Sequence, residues 1–158
     1  MLDELLDNDG FRILMKMHVY ECIELLLQND IRFSILANMP YVKFDPPLPN
    51  EIMANMPMPV VLFTLDGYTY ESTKLTQNYI TFEAGFGADN FASFVKIPLG
   101  AIVQILVENS PILVNFSIHK ENSTESKTKE SMAMFLSNPQ NRELFLRKNK
   151  FINKDYHG

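Results

Sequence analysis

The chain is poor in the residues that mark secreted, disulfide-stapled or membrane-spanning proteins. Its 158 residues contain one cysteine, six glycines and no tryptophan. A single cysteine excludes an intrachain disulfide, and a thiol without a disulfide framework is typical of a reducing compartment. No apolar run approaches the roughly 18 residues of a membrane span. The acidic stretch 1–10 lacks the basic charge with which secretory signals begin. We therefore expect a cytoplasmic protein with no membrane partner.

The motifs of catalysis, metal binding and cofactor binding are also missing from the sequence. It has no Gly-rich phosphate loop, no Cys-x-x-Cys and no His-Glu-x-x-His. The histidines His18, His119 and His157 lie in three different regions, and nothing in the sequence indicates that they converge on a metal. Cys22 lies on an apolar helix face without a basic neighbour, which favours an inert thiol. We therefore expect no enzyme activity, no cofactor and no metal.

Composition is that of an ordinary globular protein, but the charge is unevenly divided. About 46% of the residues are hydrophobic and 21% are charged, and a single domain of this length buries roughly 68–70% of its unfolded surface. Residues 1–117 contain six bases and fourteen acids, a net charge of −8, whereas residues 118–158 contain eight bases and five acids, a net charge of +3. The acidic body argues against a nucleic acid partner, because it repels phosphates. The basic end indicates either an exposed interaction segment or an inert solvated tail.

The pattern of apolar residues predicts an α+β fold in which strands predominate. A helix is predicted over residues 11–29. Its apolar face is wide enough either to cover a sheet and meet a second subunit, or to pack wholly on its own core. Strands are predicted where apolar residues alternate or form short runs, at residues 31–39, 60–65, 79–86, 94–97 and 112–118.

Other segments give weaker signals. Residues 40–59 contain six of the nine prolines and are interpreted as a loop, because each proline removes a ladder donor. Asp66-Gly67 and Asn109-Ser110-Pro111 are predicted turns. The run Leu99–Val107 is compatible with a buried helix or a buried strand. We favour a short helix that gives way to extended chain at Ile105.

The chain divides into a body at 1–118, a polar linker at 119–131 and a flexible C-terminal tail at 132–158. Residues 120–131 contain no apolar side chain, so they cannot bury enough surface to order themselves. In the tail, apolar residues reappear beside positive charges, and this group is the candidate docking segment: Leu144, Phe145, Leu146, Arg147 and Lys148. The alternative is that the tail folds back on the body as a helix interrupted by Pro139.

Three segments together carry a resemblance to a known family. Tyr79–Gly87 reads Tyr-Ile-Thr-Phe-Glu-Ala-Gly-Phe-Gly, and Val95–Asn109 contains Ile-Pro-Leu and ends in Glu-Asn. Val60–Leu65 supplies an apolar strand at the expected distance upstream. In order and spacing, over about residues 11–117, these segments resemble stringent starvation protein B, SspB. Gly85 stands where that family has arginine.

The resemblance implies an adaptor of the ClpX–ClpP protease. Members of the family bind peptide degradation tags, notably the tag that tmRNA adds to stalled chains, and deliver tagged proteins to the ClpX unfoldase. The implied fold is an N-terminal helix followed by a small open Sm-like β-barrel, with a flexible tail that docks on ClpX. Homodimers form through the helix, and we expect Met15 and Val19 on the face turned away from the barrel.

An extended peptide needs small side chains for close approach and apolar walls beside them. The predicted peptide-binding residues are Phe82, Ala84, Gly85, Phe86, Gly87, Ile105, Leu106 and Val107. For Phe82, a core position is the favoured alternative, because aromatic residues that alternate along a strand usually face inward. Two other functions stay open: RNA binding by an Sm-like barrel, which the acidic body opposes, and a structural or assembly role without a peptide partner.

Overall fold

A computed structural model describes residues 1–120 of the chain. The linker from residue 121 onward and the tail at 132–158 lie outside the described residues, as do the candidate docking residues Leu144, Phe145, Leu146, Arg147 and Lys148. The division into body, linker and tail therefore stays a prediction. No helix in the described range is long and apolar enough to cross a membrane.

Two helices open the chain: α1 (Leu2–Leu6) and α2 (Asp9–Gln28). The side chain of Asn8 caps α2 by accepting a hydrogen bond of 3.0 Å from the backbone N–H of Phe11. Helix α2 confirms the prediction at 11–29. One face of it is buried in the core, and that face consists of Ile13, Val19, Ile23 and Leu26. Val19 was expected on the outward face; it is fully buried, so that expectation was wrong.

The rest of the described chain is mostly strand. The eight strands are β1 (Phe33–Asn38), β2 (Lys43–Asp45), β3 (Val60–Leu65), β4 (Lys74–Leu75), β5 (Tyr79–Phe86), β6 (Phe91–Pro98), β7 (Ile102–Val107) and β8 (Ser110–Val114). They pair antiparallel in two four-stranded sheets, ordered β3-β1-β7-β8 and β2-β6-β5-β4. The α+β class with strands in the majority is confirmed. The described strands do not close into a barrel.

The core lies between these sheets and under α2. In the first sheet Ile35 pairs with both Phe63 and Ile105. In the second sheet Phe82 pairs with Val95. All five side chains are buried, and they belong to one continuous apolar cluster with the inner face of α2. Such strict alternation fixes the register, because a slip of one residue would expose these side chains to water.

The structure corrects four local predictions. The helix favoured after Pro98 is only a 3-10 turn (Leu99–Ala101), and β7 begins at Ile102. The segment 40–59 is not all loop: it contains β2 and a short helix, α3 (Asn50–Ala54). Asp66 caps a further helix, α4 (Gly67–Glu71), where a turn was expected.

The fourth correction concerns the turn before the last strand. The turn lies at Glu108-Asn109, whose φ angles are 52° and 66°, and Ser110 and Pro111 already belong to β8. Two successive positive φ angles are the geometry of a type I′ hairpin turn, which matches the twist of the flanking strands. The last strand also ends at Val114, earlier than predicted.

Candidate functional site

Four phenylalanines from the two sheets meet near one end of the core. Phe63 on β3 lies 5.5 Å from Phe82 and 6.4 Å from Phe86, measured between ring centroids. Phe44 on β2 lies 6.5 Å from Phe63 and 5.6 Å from Phe86. Three of the four contacts are edge-on, a favourable arrangement for aromatic rings. We call these four residues the phenylalanine cluster.

The members of the cluster differ in their access to solvent. Phe82 is fully buried and Phe63 is 6% exposed, so these two rings form a floor that a ligand does not contact directly. Phe44, Phe86 and the neighbouring Ala84 are half-buried. The core alternative for Phe82 therefore holds, whereas Ala84 and Phe86 keep accessible apolar surface on the same face of β5.

Two edge strands border the cluster. Strand β3 is the outer strand of the first sheet, and within residues 1–120 no strand pairs with its far edge. Strand β2 is an outer strand of the second sheet and pairs only through Lys43–Asp45. Phe44 and Phe63 link these two edges through their side chains and not through main-chain hydrogen bonds. We call the region between the far edge of β3 and the half-buried Phe44, Ala84 and Phe86 the seam.

The proline-rich segment 46–59 joins β2 to β3 and is attached to the sheets at both ends. The hydroxyl of Ser93 donates a hydrogen bond of 2.9 Å to the carbonyl of Pro46. The backbone N–H of Met39 donates one of 2.8 Å to the carbonyl of Pro59. Between these anchors Leu48 is buried, so the segment packs on the body.

Two glycines shape the hairpin between β5 and β6. Gly87 has a φ of 74°, in the left-handed region that favours glycine. A Cβ there would also lie 3.1 Å from Cδ1 of Ile52 on α3, so this glycine lets α3 approach the hairpin. Gly85 faces outward, and a Cβ on it would overlap the side-chain amide of Asn90. Gly85 is therefore on the face of β5 opposite to Ala84 and Phe86.

The three predicted site residues on β7 do not gather at the seam. Ile105 is fully buried in the core. Leu106 pairs with Ser34, whose hydroxyl lies 3.3 Å from that of Thr64 on the outer face of the first sheet, so Leu106 also faces outward. Val107 is half-buried against the core at the end of β7. The structure thus joins Phe82, Ala84 and Phe86 in one place and leaves these three elsewhere.

Sequence reasoning missed Phe44 and Phe63. Phe63 was detectable, because it lies in the middle of a correctly predicted strand whose buried residues alternate. Phe44 gave no usable signal, since it stands in a three-residue strand among prolines.

Cys22 and His119 have side chains of the kind that catalysis or metal binding uses. Burial raises the pKa of the Cys22 thiol above its ordinary value, which disfavours the reactive thiolate. The ring of His119 packs edge-on against Tyr41, with centroids 4.6 Å apart. Among residues 1–120, no group of three or more His, Cys, Asp or Glu side chains is placed to hold a metal ion.

A scan against protein-family models finds no match to this chain, and a search of curated proteins finds none either.

Proposed function

We propose that the protein is a proteolysis adaptor that holds an extended peptide degradation tag in the seam and delivers the tagged protein to a ClpX-type unfoldase. The observation that carries this proposal is the far edge of β3, with which no strand of residues 1–120 pairs, next to the half-buried Phe44, Ala84 and Phe86. An edge strand offers a row of free N–H and C=O groups, which an extended peptide can pair with as an added strand.

The residues around the seam suit this mode of binding. Main-chain pairing along β3 supplies hydrogen bonds that any peptide sequence can make, and side-chain contacts supply selectivity. Side chains of the peptide would cover the apolar surface of Phe44 and Phe86, which water now contacts. Ala84 is small, so the peptide backbone can approach β5 there. The buried Phe63 and Phe82 keep the floor rigid, because their rings are packed on all sides.

The architecture fits the adaptor interpretation at a coarser level. An N-terminal helix followed by two antiparallel sheets is compatible with the open Sm-like barrel that the SspB resemblance implies. In that arrangement the seam is the opening between the sheets. The proposed homodimer would form through the outward face of α2, where Leu14 and Leu25 are 39% and 59% exposed. Apolar side chains on a solvent face are suited to a self-complementary contact.

Delivery requires a second contact, with the unfoldase, and the tail is proposed to make it. A polar linker keeps the docking segment close to the body and raises its effective concentration at the unfoldase once the tag is engaged. Tag binding and unfoldase docking are then separate elements of one chain.

The decisive experiment compares two identical substitutions on one hairpin. Ala84→Gln introduces a long side chain into the seam and should weaken binding of a fluorescent tmRNA-tag peptide by about 1–3 kcal/mol, as an overpacked contact does. Ala92→Gln is the matched control, because Ala92 is exposed on the outer face of β6. Fluorescence anisotropy measures the affinity, and circular dichroism checks that both variants fold. Equal affinity in the two folded variants would refute the seam as the tag site.

A further inference from the structure

The few basic residues of the acidic body are not spread evenly over its surface. Residues 1–117 contain only six bases, and three of them lie side by side on one sheet. Lys43 on β2 pairs with Lys96 on β6, which pairs with Thr81 on β5, which in turn pairs with Lys74 on β4. Neighbouring strands are separated by about 4.8 Å, so this lysine row is about 14 Å long.

The lysine row lies on the solvent face of the second sheet. Along each strand of this sheet the side chains alternate between the two faces. Those on the other face, such as Phe82 and Val95, are buried in the core. Lys43 and Lys74 are exposed. The ammonium group of Lys96 lies 4.1 Å from the centroid of the Tyr79 ring on the same face. The two ends of the row are therefore exposed, and its middle, Lys96 and Thr81, is half-buried, on the side of the sheet opposite to the seam.

This arrangement costs folding stability. Like charges placed directly opposite each other on adjacent strands repel, and Lys43 and Lys96 form such a pair. Within residues 1–120 none of the three lysines forms a salt bridge. The same acidic body supplies many carboxylates that could have neutralised them. Lys96 gains a cation–π contact with Tyr79, but within residues 1–120 no carboxylate forms a salt bridge with Lys43 or Lys74. Like charges left without salt-bridge partners on a sheet face are characteristic of a binding surface.

The next row of side chains on this face lies two positions along the strands from the lysine row and indicates the chemistry of the ligand. Phe94 is 40% exposed and lies between Asp45 on β2 and Glu83 on β5. An exposed aromatic ring is a platform for stacking a nucleobase. The two carboxylates can accept hydrogen bonds from the exocyclic amino groups of bases such as cytosine, and Glu83 also accepts one of 2.5 Å from the hydroxyl of Tyr68. A nucleic acid strand that places its phosphates on the lysine row and stacks a base on Phe94 contacts both rows of side chains at once.

We propose that this face, made of the lysine row and Phe94, binds single-stranded nucleic acid. A four-stranded antiparallel sheet that presents basic and aromatic side chains is an established platform for single strands. The negative net charge of the body limits the binding to this patch and makes it weak and sensitive to salt. The proposal goes beyond the adaptor function and is independent of it, because the two sites use opposite faces of the second sheet.

The test measures binding of a labelled oligocytidylate of about 12 nucleotides, whose bases carry the exocyclic amino group, to the full chain by anisotropy between about 50 and 200 mM salt. Each phosphate contact contributes about 0.7 to the slope of log affinity against log salt, so three lysines predict a slope of about −2. Lys43→Thr, Lys74→Thr and Lys96→Thr should each reduce its magnitude by about 0.7. Lys120→Thr is the control: it removes the same charge away from this sheet and should leave the slope unchanged.

Two further readouts separate nucleic acid binding from a generic attraction of anions. Phe94→Ala should weaken oligocytidylate binding at least about fivefold without changing the salt slope, because stacking is not ionic. Lys43→Thr should raise Tm by about 1–4 °C while it weakens binding, because it relieves the repulsion with Lys96. The proposal is overturned if a polyglutamate peptide binds as tightly as the oligonucleotide. It is equally overturned if the lysine substitutions leave affinity unchanged, or if Lys43→Thr lowers Tm.

Discussion

The side-chain amide of Asn90 occupies the space that a Cβ on Gly85 would need. Both residues lie on the hairpin between β5 and β6, where Gly85 pairs with Ala92 and Asn90 adopts a φ of 53°. Glycine at position 85 leaves the backbone bare, and Asn90 folds over it.

Replacing this glycine should therefore displace Asn90. We expect Gly85→Arg to cost less than about 1.5 kcal/mol of unfolding free energy, because Asn90 is exposed and can rotate into solvent. The double variant Gly85→Arg/Asn90→Gly should recover most of that loss, since glycine also tolerates the positive φ. Urea unfolding of the two single variants and the double variant gives the coupling energy. Additive effects would show that the two side chains do not compete for the same space.

The two faces of α2 should respond to a new charge in opposite ways. Leu25→Asp places the charge on the exposed face and should convert the proposed dimer to a folded monomer, seen by light scattering. Val19→Asp buries an unpaired carboxylate in the core and should cost at least about 3 kcal/mol, so that the chain unfolds. Met58→Asp, on an exposed loop residue, is the control for added charge. A monomeric wild-type protein would exclude the dimer altogether.

Helix α1 and the end of the described chain are joined by an ionic contact at Asp7. Its carboxylate lies 2.8 Å from the ammonium of Lys120 and 2.9 Å from the guanidinium of Arg12. Hydrogen bonds from Lys120 and then Arg12 hold the pKa of Asp7 below its ordinary value of 3.8. A carboxyl whose pKa is lower in the folded state stabilises the fold above its unfolded pKa, and this contribution is lost as the pH falls through the folded pKa.

Removing one partner should reverse that shift. Lys120→Met should raise the pKa of Asp7 toward its ordinary value, so that the carboxyl protonates at higher pH. An NMR titration of the Asp7 side chain measures this directly. Lys74→Met removes an equal charge from a residue that takes no part in the Asp7 pKa shift and should leave the pKa where it is. If the Asp7 pKa is the same in both variants, the contact with Lys120 does not persist in solution.

Strands with clean alternation were predictable from the sequence, and the edges of the fold were not. The predictions for β3 and β5 were confirmed residue for residue, because each buries every second side chain on one side only. The run after Pro98 was assigned wrongly, since Leu99, Ala101, Ile102 and Ile105 are all fully buried and show no clear period. Apolar runs that are buried all round carry no information on whether the backbone is coiled or extended.

The candidate site shows the same limit. The sequence placed Ala84 and Phe86 on one face of β5 because that strand has a readable alternation; their role in binding stays a prediction. The pairing of Leu106 with Ser34 places it on the outer face, and that register is set by contacts with β1 that are distant in sequence. The lysine row was equally invisible, because its members come from three strands and meet only through the pairing of the second sheet.

The tail supplies the last prediction, which rests on the sequence because residues 132–158 lie outside the described range. Deleting these residues should leave tmRNA-tag affinity unchanged, since the seam lies wholly within the body, but should abolish the faster degradation of a tagged substrate by the unfoldase and its protease. The physical reason is the loss of the second contact and of the effective concentration that the linker provides. The matched control replaces Leu144, Phe145 and Leu146 with serine in the full chain, which keeps the length and the charge. If deletion instead lowers Tm, the tail folds back on the body as a structural element. If the truncated chain accelerates degradation as well as the full chain, the docking segment lies elsewhere.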